Sequence, residues 1–169
     1  MLTMNNEEFL AAHDAYADAL FRHCYFRVYN RELAKDLVQE AFCKTWSYIA
    51  KGQKIENIRA FLYRVANNLV IDEIRKRKPV ASLDELVEKG FSPKDESPTE
   101  MDQRLTNREI AGLLESLDES YRKIIVMRFI DELSPKEIGQ ILNISENVVS
   151  VRIYRGLKKL EQLIDKKEL

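Results

Sequence analysis

The chain has 169 residues, 33% of them charged, and a formal net charge of −1, which suits one domain or two small ones. Cys24 and Cys43 lie in apolar helical patterns and are too few for a disulfide framework, and the two histidines have no zinc-site spacing. No apolar run is long enough to span a membrane, and the acidic start is not a signal peptide. We therefore expect a cytoplasmic protein with no cofactor, no metal and no membrane insertion.

The near-neutral total hides an uneven distribution of charge. Residues 51–78 carry eight Lys and Arg against three Asp and Glu, whereas residues 79–101 carry six acids against two Lys. Local charge governs the encounter with a polyanion. A basic segment beside an acidic connector is therefore compatible with nucleic-acid binding, despite the near-neutral net charge of the chain.

Helical periodicity predicts three helices before residue 79. The first covers about residues 7–28. The second covers about residues 31–50, with Asn30 as its N-cap. A loop at residues 51–57 precedes the third, at residues 57–78. Three helices of this length predict a compact first domain.

The third helix has two different faces. Its apolar positions repeat near the 3.6-residue period and are expected to pack into a core. The other face carries rings, amides and cations, which suit base stacking, base-edge hydrogen bonds and phosphate contacts. The alternative is a solvated face whose last cations complement the helix dipole. Asp72 is expected to pair with Arg75 or Lys76. The outward residues are Arg59, Tyr63, Arg64, Asn67, Asn68, Arg75, Lys76, Arg77 and Lys78.

The chain then divides into two units. Pro79 ends the first, because the residue before a proline disfavours helical geometry. Residues 79–101 contain three of the four prolines and the acidic excess, and are predicted as a flexible linker. Helical period resumes near residue 102. The predicted fold is all-α, with small helical domains at residues 1–78 and 102–169.

Residues 133–160 predict a helix-turn-helix. Ser134 and Glu137 form a capping box around a proline at the first helical position. Asn143 suits a left-handed helix end, and Ser145 suits the N-cap of the next helix. An ordinary helical hairpin with a basic side is the alternative. The residues expected to be buried on the second helix are Val149, Ile153, Leu157 and Leu160.

The outward side of that second helix is the second candidate DNA-binding surface. Its polar side chains and methyl groups suit base edges in a major groove, and its cations suit phosphates. The residues are Ser145, Glu146, Asn147, Ser150, Val151, Arg152, Arg155 and Lys158, with Lys159 beside them.

Two segments, together with the helix-turn-helix, resemble one protein family. The sequence AKDLVQEAF at residues 34–42, followed by Trp46, looks like the polymerase-binding helix of the extracytoplasmic-function (ECF) group of bacterial sigma-70-type factors. The sequence FLYRVANNLVID at residues 61–72, followed by Arg75, looks like the family's −10 recognition and melting helix. Residues from 117 onward resemble its −35-binding module. The two domains would then be sigma region 2-like and sigma region 4-like.

The resemblance implies a transcription initiation factor rather than an enzyme. Asp36, Gln39, Glu40 and Trp46 would contact the clamp of the largest subunit of core RNA polymerase, and the second domain would meet the flap region. The third helix would hold the melted −10 strand, with loop 51–57 receiving a flipped base, and the helix-turn-helix would bind the −35 duplex. An anti-sigma factor is the expected regulator. A two-domain regulator that binds operator DNA without joining polymerase is the alternative.

Overall fold

A computed structural model describes residues 4–77 and 108–168. Those residues are almost entirely helical and contain no strand, so the prediction of an all-α fold with two small helical domains is confirmed. The predicted linker at 79–101 and the predicted DNA contact at Lys78 lie outside the described residues.

The first unit is a bundle of three helices whose ends follow local signals. Asn30 caps the second helix, because its side chain accepts a hydrogen bond from the backbone N–H of Leu33 at 3.0 Å. Asn57 does the same at the start of the third helix, at 3.1 Å from the N–H of Ala60. The three helices are α1 (Asn6–Val28), α2 (Arg31–Ala50) and α3 (Ile58–Arg77).

The second unit is built from four shorter elements and ends in a long helix. Residues 108–115 form α4, and the next helix, α5 (Glu119–Ile125), passes directly into a π-helical turn, where the N–H of Asp131 donates to the carbonyl of Val126 at 2.9 Å. This wider turn ends the helix immediately before the helix-turn-helix. The remaining elements are the π-helix (Val126–Ile130), α6 (Pro135–Leu142) and α7 (Glu146–Glu168).

The turn between α6 and α7 has the predicted helix-turn-helix geometry. Ser134 and Glu137 form the reciprocal capping box, with the backbone N–H of Ser134 2.7 Å from Glu137 Oε2. That hydrogen bond lowers the pKa of the Glu137 carboxyl. Asn143 is left-handed at φ 56°, and Ser145 Oγ accepts from the N–H of Val148 at 3.2 Å. The predicted start and end signals of α6 and the predicted start signal of α7 are therefore confirmed.

Gly139 is required by the turn itself. A Cβ at this position would lie 2.8 Å from the backbone carbonyl oxygen of Ile144. We expect Gly139→Ala to lower the free energy of unfolding by about 1–3 kcal/mol, the usual cost of overpacking, measured by urea denaturation. Gly112→Ala is the matched control, since among the described residues its Cβ would meet Nζ at the end of the Lys167 side chain, at an ordinary contact distance of 3.8 Å. An equal loss of stability in both variants would contradict this account.

The two helical units pack directly against each other. α6 lies against α3, and the π-helix lies against α1. Leu20 and Val70 of the first unit share one buried apolar cluster with Ile124, Met127 and Ile138 of the second. Burial of apolar surface is therefore continuous across the boundary between the units.

Candidate functional site

One stripe of α3 faces solvent, as predicted for DNA contact. Arg64, Asn68, Arg75 and Lys76 are exposed along it, at the three- and four-residue spacing that aligns side chains on a helix. The expected pairing of Asp72 with Arg75 or Lys76 is wrong. The ion pair on this turn instead joins Arg77 Nε to Glu73 Oε2 at 3.7 Å.

Two other predicted contacts, Tyr63 and Asn67, are buried in this conformation, so their prediction as outward-facing is wrong here. The ring of Tyr63 stands edge-on to His23 with 5.5 Å between centroids, and burial raises the pKa of its hydroxyl. Asn67 Oδ1 accepts a hydrogen bond from Nη1 of the buried Arg27 at 2.9 Å. Helix periodicity gives the angular position of both residues on α3, next to Arg64. It does not show that other parts of the chain cover that side of the helix.

Two arginines of α3 reach the second unit. Arg59 donates from Nη1 to Glu137 Oε1 and from Nη2 to the carbonyl oxygen of Asp131, both at 3.2 Å. Arg64 Nη2 donates to the carbonyl oxygen of Gln140 at 2.7 Å. Part of the predicted −10 surface is therefore already engaged within the chain.

The predicted −35 surface on α7 is open to solvent. Every residue proposed for it is exposed except the half-buried Arg152. Val149 beneath it is fully buried and Ile153 half-buried, which orients the helix. Leu157 was expected in the core but is 42% exposed. It lines a small apolar cavity of about 210 Å³ beside Phe129, because α7 continues past the elements that cover its first turns.

The candidate polymerase-binding residues lie on α2. Asp36, Gln39 and Glu40 are exposed, and Trp46 is 38% exposed with its ring 4.9 Å from that of Phe9. A carboxylate–amide–carboxylate stripe of this kind suits a basic and polar partner.

An apolar groove of about 1060 Å³ runs beside this stripe, between α1 and α2. Gln39 and Trp46 line it, so two of the predicted polymerase contacts share its edge. Sequence reasoning missed the α1 side, where Leu10 is 62% exposed. The sequence did contain a sign of this groove: a second apolar stripe on α1, on a different side of the helix from its fully buried residues. It consists of Leu10, Ala17 and Phe21, with the His13 ring between them along the groove.

The two cysteines differ in reactivity, because only a thiolate is a good nucleophile. Cys24 is fully buried, and burial raises its pKa to about 12. Cys43 is exposed and lines the groove. Cys43 is therefore a natural chemical reporter for this surface.

Comparison with known proteins identifies the family. The model of Sigma-70 region 2 matches residues 12–80, and that of Sigma-70, region 4 matches residues 107–160. The ECF RNA polymerase sigma factor SigW of Bacillus subtilis (strain 168) is 36% identical over 162 residues, which covers 88% of this chain and 84% of SigW. This chain belongs to the ECF sigma factor family. The RNA polymerase sigma factor SigV of the same strain is 30% identical over 149 residues, covering 88% of this chain and 86% of SigV.

Solved structures show the same fold for this sigma factor. CnrH in complex with the cytosolic domain of CnrY has a TM-score of 0.74 at 23% identity, covering 96% of this chain and 90% of CnrH. The sigma factor RpoE in complex with the anti-sigma factor NepR, from Bartonella quintana, has a TM-score of 0.70 at 18% identity, covering 94% and 98%. The likeness extends over both helical units.

The family assignment decides between the two functions that the sequence left open. The protein is a transcription initiation sigma factor, rather than an operator-binding regulator that acts without polymerase. Within residues 4–77 and 108–168, no helix combines the length and apolar character needed to cross a membrane.

Proposed function

We propose that this sigma factor binds core RNA polymerase through the stripe and groove of α2. The observation that carries the proposal is the open apolar groove bordered by Gln39 and Trp46, with the carboxylates of Asp36 and Glu40 on the same helix. An apolar pocket beside polar and charged groups is the anatomy of a protein interface. The proposed partner is the clamp of the largest subunit.

The −10 element is bound by α3 in this proposal. Asn68 supplies an amide for base edges, and Arg64, Arg75 and Lys76 supply cations for the backbone. Loop 51–57, exposed except for Ile55, receives a flipped base. Capture of unpaired bases offsets an unstacking cost of a few kcal/mol per base. Strand opening therefore requires no nucleotide hydrolysis by this protein, which has no catalytic role.

The −35 element is bound by α7 after its cap at Ser145. Glu146, Asn147, Ser150 and Val151 occupy the first two exposed turns, where a recognition helix meets base edges. Arg155 and Lys158 lie further along and contact phosphates. The exposed apolar surface around Leu157 and Phe129 is the site proposed for the flap region of polymerase.

An anti-sigma factor is the proposed regulator. The solved relatives CnrH and RpoE are each bound to another protein, CnrY and the anti-sigma factor NepR. A partner of this kind would compete with polymerase for this sigma factor. Because it would act on polymerase and promoter DNA, the proposed location of the protein is the cytoplasm.

Core polymerase is expected to protect Cys43. In free protein at pH 7, a maleimide should label Cys43 and leave Cys24 unlabelled, since about 10⁻⁵ of a thiol with a pKa of about 12 is ionised. Equimolar core enzyme should slow this labelling at least about tenfold if Cys43 becomes buried in the interface. Mass spectrometry of tryptic peptides measures both sites. Cys43→Ser should abolish labelling, and unchanged Cys43 reactivity in the presence of core would contradict docking on the groove.

Run-off transcription over a genomic promoter library tests the whole proposal. Core polymerase with this sigma factor should produce a defined set of transcripts that core alone does not. DNA binding without any core-dependent transcript would instead support the operator-binding alternative.

A further inference from the structure

We propose that a polar cavity beside α1 and α3 binds a small zwitterion, a free amino acid or a short peptide, through one guanidinium and one carboxylate in its wall. The cavity has a volume of about 520 Å³ and lies between α1, α3 and the turn that follows the π-helix. That volume falls within the range of about 300–1,000 Å³ typical of small-molecule sites. The lining residues that carry the proposal are Arg22, Arg59, Tyr63, Asp131 and Glu132.

Two buried polar atoms of the polar cavity have no hydrogen-bond partner among the described residues. They are the hydroxyl oxygen of Tyr63, whose side chain is fully buried, and Oδ1 of Asp131, a residue that is 6% exposed. The other carboxylate oxygen of Asp131, Oδ2, lies 2.7 Å from Nδ1 of His23. A buried polar group that stays unpaired is costly. Because both residues line the polar cavity, a molecule bound there can supply the missing partners.

The Tyr63 hydroxyl lies at the side of its ring that faces the polar cavity. Burial raises the pKa of this hydroxyl, and the charge of Asp131 raises it further, whereas the charges of Arg59 and Arg22 lower it. These three charged residues all line the cavity. Since a charge acts more weakly with distance, the hydroxyl is close to the charged groups of the cavity wall.

The polar cavity presents both signs of charge to a ligand. Arg22 and Glu132 line it from different helical units, both are exposed, and neither forms an ion pair with a described residue. A guanidinium binds a carboxylate through paired hydrogen bonds, and a carboxylate accepts from an ammonium. A zwitterion complements both charges. A phosphate ester would instead bring its negative charge close to Asp131 and Glu132, which is unfavourable.

Arg59 forms a fixed part of the cavity wall. Its guanidinium already donates to Glu137 Oε1 and to the carbonyl oxygen of Asp131, both at 3.2 Å, and lies 6.0 Å from the centroid of the Tyr63 ring. Arg22 is therefore the cation of this wall that remains for the carboxylate of the ligand.

Glu132 occupies a backbone position that favours a different residue type. Its φ is 57°, and it directly follows Asp131, the C-cap of the π-helix. Glycine or asparagine usually takes this left-handed position at the end of a helix. Glycine would adopt it without strain, so the turn itself does not require a carboxylate. Glu132→Gly therefore removes the charge while keeping the geometry of the turn.

The polar cavity is separate from the surfaces of the proposed function. None of the described residues that bind polymerase, the −10 strand or −35 DNA in that proposal lines it. A failure of zwitterion binding would therefore leave the proposed function intact. Because Arg22 belongs to the first unit and Glu132 to the second, a bound zwitterion would join the two units and raise the melting temperature.

Thermal melting of the free protein with single added compounds tests the site. The compounds are individual amino acids, dipeptides such as alanylalanine, and the N-acetylated amides of the same molecules, which lack both charges. At about 10 mM, a compound with a Kd below about 3 mM should raise Tm by at least about 2 °C. At least one zwitterion should do so, and its N-acetylated amide should not. Separate series for amino acids and dipeptides distinguish the two sources.

Two variants and one control assign the binding to this cavity. Arg22→Gln and Glu132→Gly should each weaken binding of the active compound by about 10- to 150-fold in calorimetric titration, because each removes a hydrogen bond to a charged group. Arg31→Gln changes an exposed arginine outside the cavity and should bind like wild type. No Tm shift with any zwitterion would overturn the proposal and leave water to pair the two buried atoms. Unchanged affinity in either variant would also overturn it.

Discussion

Asp36→Ala combined with Gln39→Ala should weaken binding to core RNA polymerase by about 30- to 1000-fold. This corresponds to the loss of about 2–4 kcal/mol that truncation at the centre of an interface produces. Both side chains are exposed on α2, and Gln39 lines the groove. Their removal deletes a charge and an amide without disturbing the core. Co-purification and a titration with labelled core enzyme measure the effect.

The control for this prediction is Asp14→Ala. Asp14 lies on α1 with its side chain 89% exposed, outside the lining of the groove. It removes one negative charge, as the double variant does, so a general electrostatic effect would appear in both. Binding by the double variant that equals that of wild type would contradict docking on α2. Binding of −35 duplex should remain unchanged in every case.

Asn68→Ala should slow open-complex formation by about 5- to 150-fold and leave polymerase binding unchanged. Loss of hydrogen bonds to a base edge costs about 1–3 kcal/mol, and Asn68 is exposed on α3, so its removal should not destabilise the bundle. Permanganate reactivity of the melted strand, followed over time, measures the step. Alanine is a good helix former, so α3 itself should persist.

Asp72→Ala is the comparison for Asn68. It lies one turn further along the same exposed stripe and offers no amide donor. Its loss removes a negative charge near the strand and should not slow opening. Equal slowing by the two substitutions would mean that the stripe acts through helix stability, and would contradict a contact between Asn68 and a base.

Asn67 should behave differently from its neighbour Asn68. Asn67 is buried and accepts a hydrogen bond from the buried Arg27, so Asn67→Ala removes a partner of that guanidinium as well as any contact with a base. Its effect on promoter melting therefore combines a change in the stability of the bundle with the loss of a base contact. Asn68 is exposed, so its substitution changes the base contact alone.

Much of the fold could be predicted because its signals are local. Asn30, Ser134 and Ser145 cap helices by accepting from N–H groups three residues away, and Asn143 ends α6 in left-handed geometry. Each of these interactions forms between residues that are already neighbours in the chain. Helix boundaries and the helix-turn-helix are therefore accessible without a tertiary structure.

The surfaces were less predictable because packing decides which face of a helix remains open. Leu157 has the spacing of a core residue but is exposed, since nothing in the described second unit fully covers that part of α7. Leu10 belongs to a second stripe on α1 whose neighbour is a groove rather than a core. Periodicity gives the angle of a side chain around its helix and says nothing about what stands opposite.

The sequence by itself determined the helices, their caps, the two-unit all-α organisation and the family-like segments on α2, α3 and α7. Only the tertiary structure decided that Tyr63 and Asn67 are covered and that Arg27 joins the two units. The partners concerned are separated by 40 residues for Arg27 and Asn67, 92 for Arg27 and Glu119, and 108 for His23 and Asp131. Such contacts follow from how two apolar surfaces fit together, and no local pattern in the chain encodes that fit.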